Sequence, residues 1–138
     1  MIEFERRIAA SPETIFAYFT DSARYTAWMG VDAALDPRPG GIYRVRVRQG
    51  QVALGEFIEL DPPHSLSFTW GWEGDGMVPP GSTTVTVILI PDGAETILRL
   101  VHDGLPDEST LLHRQGWEHY LNRLVVIATG NDAGPDSP

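Results

Sequence analysis

His102-Asp103-Gly104-Leu105-Pro106, followed after four residues by Leu111-Leu112-His113-Arg114-Gln115-Gly116-Trp117-Glu118-His119-Tyr120-Leu121-Asn122-Arg123-Leu124, decides how this chain folds. The first stretch ends a strand, because glycine and proline break a ladder. The second has helical periodicity: Trp117, Tyr120, Leu121, Leu124 and Ala128 recur on one stripe of a helix spanning roughly 108–129. Gly116 in mid-helix weakens it by about 1 kcal/mol against alanine, so a packing reason is expected, such as close approach to a sheet. Gly130 suits the helix end, and residues 131–138 read as a disordered tail. A strand handing over to such a helix suggests one helix held in the grip of a curved sheet, which would enclose a pocket.

Upstream, the pattern supplies that sheet. Ile2, Phe4 and Ile8 alternate with Glu3, Glu5 and Arg7, the mark of a half-buried strand. Ser11-Pro12-Glu13 opens a short helix carrying Ile15, Phe16 and Phe19. Asp21-Ser22 opens a second, with Tyr25, Trp28 and Met29. Asp36 to Gly41 is a loop; from Ile42 the period becomes two, with Tyr43, Val45 and Val47 inward and Arg44, Arg46 and Arg48 facing water. Further strands run to Leu60, over 66–72 with Leu66, Phe68, Trp70 and Trp72 on one face, around Val85–Leu89, and over 96–102. The segment 74–82 reads as a flexible loop. About six alternating strands with helices outside the run indicate an α+β fold, helices covering one face of an antiparallel sheet.

Composition narrows the function. A length of 138 residues fits one domain, spanning 1–130 before the tail. Cysteine is absent, which excludes disulfides, thiolate nucleophiles and Cys-based zinc sites. All ten basic residues are arginine, which removes Schiff-base chemistry. A formal charge of −9 argues against nucleic acid and anionic membranes. No apolar run approaches ~18 residues, and the N-terminus lacks a signal layout, so a cytoplasmic soluble protein is expected.

The ordered motifs resemble a known family over residues 2 to about 129. They begin with Arg6-x-Ile8-x-Ala10-x-Pro12-x-x-Ile15-Phe16, Trp28 and Gly40-Gly41, and continue with Gly55 and Glu59-x-Asp61-Pro62-Pro63-x-x-Leu66-x-Phe68-Thr69-Trp70. Ser82 to Val87, Thr96-x-Leu98-x-Leu100-x-His102-x-Gly104-Leu105-Pro106 and Gly116-Trp117-x-x-Tyr120-Leu121-x-x-Leu124 complete the set. It is similar to the bacterial branch of the activator-of-heat-shock-protein-ATPase homologues (AHSA-type), within the START-like or SRPBCC superfamily. The resemblance implies a helix-grip fold whose cavity takes hydrophobic molecules such as lipids, sterols or polyketides. Some superfamily members are cyclases or dehydratases. The eukaryotic namesake, linked to stress response, binds a chaperone using a separate N-terminal domain as well. No such second domain is read here, so chaperone ATPase stimulation is not expected.

Nine residues are candidates for the ligand site: Arg6, Trp28, Glu56, Phe68, Trp70, Trp72, His102, Trp117 and Tyr120. Arg6, Glu56 and His102 fall on the apolar phase of their strands, where an unpaired charge is expensive and needs a partner, water or ligand. A bulge or a strand end would equally explain them, and Gly55 with Phe57 makes an inward face as good as that of Glu56. The aromatics suit either a core or an apolar pocket, with Trp72, beside the 74–82 loop, at the pocket mouth. His113 and His119 are six apart, unlike the spacing of four in helical zinc pairs, so no metal is expected. No cofactor is expected either, and no Ser–His–Asp set can be assembled.

The leading reading is therefore a non-catalytic binder of a lipid- or polyketide-like molecule, without nucleic-acid or membrane partners, with a homodimer as the assembly to consider. The alternatives are a cyclase or dehydratase using His102 with Arg6 or Glu56, and a chaperone-linked interaction module presenting an exposed apolar patch.

Overall fold

The computed structural model describes residues 1–74, 76–134 and 136. Asp75 of the expected loop and Pro135, Ser137 and Pro138 of the expected tail lie outside the described residues. The elements are β1 (Ile2–Ile8), α1 (Pro12–Thr20), α2 (Ser22–Tyr25), β2 (Asp32–Leu35), β3 (Ile42–Arg48), β4 (Gln51–Asp61), β5 (Ser65–Trp70), β6 (Thr83–Asp92), β7 (Glu95–Asp103) and α3 (Asp107–Ala128). They form one antiparallel sheet in the order β1-β7-β6-β5-β4-β3-β2, with the helices on one face. This is the α+β helix-grip arrangement.

Seven strands are present among the described residues rather than six. The additional strand, β2, is a four-residue edge paired with β3 from Asp32↔Arg46 to Leu35↔Tyr43. Its sequence, Asp-Ala-Ala-Leu, lacks the β-branched and aromatic residues that mark strands, so tertiary pairing alone makes it one. The second helix is shorter than expected, a single turn whose N-cap Asp21 accepts from the amides of Ala23 (3.0 Å) and Arg24 (3.1 Å). Ser11 caps α1 through the Thr14 amide at 3.2 Å.

The helix α3 ends as Gly130 allows. Gly130 takes a φ of +94°, its amide donates to the Ile127 carbonyl, and the Asn131 amide donates to the Val126 carbonyl. This paired bonding satisfies otherwise orphaned carbonyls. Beyond it the described residues have no helix or strand, but Arg123 holds the carbonyls of Ala133 (3.4 Å) and Gly134 (2.9 Å).

The alternating inward residues build a continuous core. Tyr43, Phe57, Phe68, Val87 and Leu100 from the sheet meet Ile15, Phe19, Tyr25, Trp28, Leu121 and Leu124 from the helices. Phe68 stacks on Tyr43 with centroids 4.1 Å apart, and Trp28 packs against Phe19 and Tyr25. The hydroxyls of Tyr25 and Tyr43 hydrogen-bond each other within this core, and burial raises both pKa values.

The sheet turns at Gly55. β4 pairs with β3 on one side and β5 on the other, and at Gly55 the Thr69 carbonyl closes in. A Cβ there would lie 2.0 Å from that backbone oxygen. Only glycine permits so close an approach. Gly55→Ala is expected to lower stability by about 2 kcal/mol or more, read as a lower urea midpoint; an unchanged midpoint would show that the strands can separate freely here.

Candidate functional site

A cleft of about 820 Å³ lies between the first half of α3, the β3–β4 turn and residues 72–74 and 76–78. Trp70, Trp72, Trp117, Tyr120, Met29 and Val47 supply its apolar wall. Each is placed by a local rule. Trp70 is an inward residue of β5; Trp72 extends that phase past the strand end, where the backbone still bridges to Ala53. Trp117 and Tyr120, three apart on α3, share one face.

Three indoles and two imidazoles form one cluster. Trp70 meets Trp72 at 5.1 Å, Trp117 at 5.5 Å and His102 at 5.7 Å between centroids. His113 lies 5.5 Å from His102 and 5.7 Å from Trp72. The indole N–H groups are engaged within the cluster. Trp70 (3.3 Å) and Trp72 (3.1 Å) both donate to Nε2 of His113, whose Nδ1 faces the Ser109 carbonyl at 2.9 Å. An Nε2 that accepts leaves Nδ1 as the donor, so His113 is the Nδ1–H tautomer.

His102 has the opposite tautomer for the same reason. Trp117 Nε1 donates to its Nδ1 at 2.9 Å, leaving Nε2–H to donate to Thr83 Oγ1 at 2.8 Å. The Thr83 hydroxyl in turn donates to the Trp70 carbonyl at 2.8 Å. This directed chain ties α3 to β7, β6 and β5, with both ring nitrogens of His102 committed. Burial lowers the His102 pKa from 6.5 to about 3, and nearby His113 and the N-terminal ammonium act in the same direction.

The expected site residues divide into groups. Trp70, Trp72, Trp117 and Tyr120 line the cleft, and His102 braces Trp117 from behind it. Trp28 and Phe68 are wholly buried core, with Trp28 Nε1 donating to the Tyr18 carbonyl at 3.0 Å. Arg6 lies at the edge strand, its guanidinium 5.0 Å from the Phe4 ring and bonded to the Glu5 carbonyl. Glu56 is exposed on the opposite face, because Ala53 and Phe57 set the inward phase of β4. In the β1–β7 register Arg6 faces Leu98 while His102 faces Ile2, an offset of four residues or about 13 Å. Arg6 and Glu56 therefore do not join His102 in a catalytic group.

Of the residues that line the cleft, pattern reading singled out for the site only Trp70, Trp72, Trp117 and Tyr120; His113, Val47, Gly116 and Arg48 are among those it did not. Arg48 is exposed, as expected from the alternation of β3, and also borders the cleft. Arg44 is half-buried and paired with Glu73 at 2.8 Å. A Cβ at Gly116 would meet nothing within 4 Å, so its role is not close approach to the sheet. Among the described residues no cluster could hold a metal, and His119 pairs with Asp136 at 2.7 Å instead.

The depressed pKa of His102 has a pH signature. Between about pH 6.5 and pH 3 the unfolded chain takes up a proton there that the folded chain refuses. Its contribution to stability is thus complete above pH 6.5 and is lost as pH falls toward 3. The stability gap between the wild type and His102→Gln is expected to narrow with acidification, by up to about 1.4 kcal/mol per pH unit. Ring ¹⁵N shifts of folded protein should show the Nε2–H form throughout; titration near pH 6.5 would contradict the assignment.

No curated protein matches the chain. The profile described as Activator of Hsp90 ATPase homolog 1-like protein matches residues 9–129. Among solved structures, an AHSA1-like protein from Rhizobium etli is 45% identical, with a TM-score of 0.78 over 98% of this chain and 85% of that one. CalU16 from Micromonospora echinospora is 25% identical, with a TM-score of 0.76 over 93% and 75% of the two chains. An HSP90 activator from Plasmodium falciparum is 28% identical, with a TM-score of 0.74 over 91% and 94%. The chain belongs to the family of Activator of Hsp90 ATPase homolog 1-like proteins, in the START-like (SRPBCC) superfamily.

Proposed function

We propose that the chain binds a hydrophobic small molecule, lipid- or polyketide-like, in the cleft beside α3. The observation that carries this reading is the lining: three tryptophans and Tyr120 around a space of about 820 Å³. That size, with an aromatic wall set beside polar residues such as Arg48, Glu73, Glu108 and His113, is within the range of small-molecule sites. Gly116 supports it as well. A mid-helix glycine weakens the helix, and here the space it leaves belongs to the cleft. Catalysis through His102 has no such support, since both ring nitrogens already have partners.

The test uses the neutral dye N-phenyl-1-naphthylamine. One equivalent is expected to bind with enhanced fluorescence, and Gly116→Leu should abolish the enhancement while retaining the wild-type circular dichroism. Undiminished binding by that variant would place the dye elsewhere and remove the support for the cleft.

A second reading, contact with a chaperone, is favoured by the similarity to the Plasmodium activator and by Leu111 and Leu112, 65% and 71% exposed on α3. On that reading Leu111→Glu eliminates stimulation of an Hsp90 ATPase and leaves dye binding intact. An ATPase indifferent to the wild-type chain would dismiss it.

A further inference from the structure

Two indoles share one acceptor in the wall of the cleft. Trp70 and Trp72 both donate to Nε2 of His113, at 3.3 and 3.1 Å. The neutral imidazole offers a single lone pair there, because its other nitrogen, Nδ1, carries the proton and faces the Ser109 carbonyl. Indoles with an acceptor to themselves lie closer to it: Trp117 is 2.9 Å from Nδ1 of His102, and Trp28 is 3.0 Å from the Tyr18 carbonyl. The longer pair is the mark of divided bonding. Among these three rings donors exceed acceptors by one, in a place where a full bond for each polar group is worth more than it is in water.

Resting on the small-molecule reading above, we propose that the ligand carries a neutral carbonyl, whether of a ketone, quinone or ester, that accepts from Nε1 of Trp72 and leaves Nε2 of His113 to Trp70 alone. Trp72 is the one of the pair within reach: it is half-buried, while Trp70 is 3% exposed. Trp72 and His113 both border the cleft, so their bond lies in its wall. The donor is also held in place. The Trp72 amide donates to the Val78 carbonyl at 2.7 Å, the backbone bridges to Ala53, and the Glu73 amide donates to the Val52 carbonyl at 2.9 Å. A residue anchored this way loses little freedom when a ligand arrives. Before binding, two N–H groups divide one lone pair; after it, each has an acceptor.

Other donors in the lining compete poorly. Arg48, Gln51 and Gln115 are exposed, so a carbonyl bound there only replaces water and gains little. His119 is paired with Asp136 at 2.7 Å, and the Trp117 N–H has Nδ1 of His102 to itself. A charged acceptor is not called for. The indole N–H is neutral, and Glu73 and Glu108 also border the cleft, where they would face an anion. A neutral acceptor on an apolar body is the chemistry that fits.

The test is displacement of N-phenyl-1-naphthylamine from the full chain by 2-acetylnaphthalene and by 2-isopropenylnaphthalene, which has a methylene group in place of the carbonyl oxygen. Trp72→Phe should weaken the ketone about fivefold more than the hydrocarbon. His113→Leu removes the shared acceptor and leaves both indoles to the ligand, so it should strengthen the ketone relative to the hydrocarbon. ¹⁵N–¹H spectra of the wild-type chain need no variant. The ketone should move the indole signals of Trp72 and Trp70 further downfield than the hydrocarbon does, that of Trp70 because its bond to His113 shortens. Equal weakening of the two ligands by Trp72→Phe, or indole signals that do not tell them apart, overturns the carbonyl site and leaves the apolar cleft standing. A relative gain by the hydrocarbon in His113→Leu overturns the shared acceptor. If the dye binds but neither naphthalene displaces it, this inference alone falls; if the dye does not bind, the cleft reading falls with it.

Discussion

The hydrogen-bond chain from Trp117 through His102 and Thr83 to the Trp70 carbonyl is the constraint on which the rest depends. It crosses from helix to sheet inside a region closed to water, where each donor must meet an acceptor. Its direction is set by its ends: an indole can only donate and a carbonyl can only accept. That leaves His102 one neutral tautomer. It also fixes how α3 sits on the sheet, and hence which aromatic faces border the cleft. A buried network with every member satisfied specifies a single arrangement, because any alternative strands a polar atom in low dielectric.

The inner face of the sheet serves two ends differently. Under α1 and α2 it is closely packed: Tyr43, Phe57 and Phe68 interlock with Phe19, Tyr25 and Trp28. Under the first half of α3 the indoles stand apart enough to border an open cleft. Trp70 belongs to both regions, 6.0 Å from Tyr43 and 5.5 Å from Trp117. The closed end gives rigidity, and the open end takes its wall from it. Gly116 marks the division on α3, where an absent side chain keeps the cleft clear.

Periodicity exposed most of the strands and all of the long helix, because burial on one face writes itself into every second or every third to fourth residue. It could not reveal β2, whose residues have no strand preference and which exists through its partner β3. It placed Trp70, Trp117 and His102 inward correctly, since their phase follows from neighbours in the chain. Glu56 escaped it, because the inward phase of β4 runs through Ala53 and Phe57 and leaves Glu56 exposed on the other face. On a strand whose two faces both carry apolar residues, the phase is settled by cross-strand packing and leaves no mark in composition.

The family, the helix-grip architecture and the inward aromatic face are properties of the sequence alone, carried by hydrophobic period, by glycine and proline at the turns, and by an ordered set of motifs. The chemistry of the cleft is a property of the tertiary structure. Trp70 and Trp72 meet His113 some forty positions away in the chain, and Thr83 meets His102. Whether a polar atom is satisfied depends on what folding brings within about 3 Å of it, and local pattern carries no information about partners so distant. A sequence can therefore declare that an indole is buried. Only the fold decides that its N–H is already spent on an imidazole.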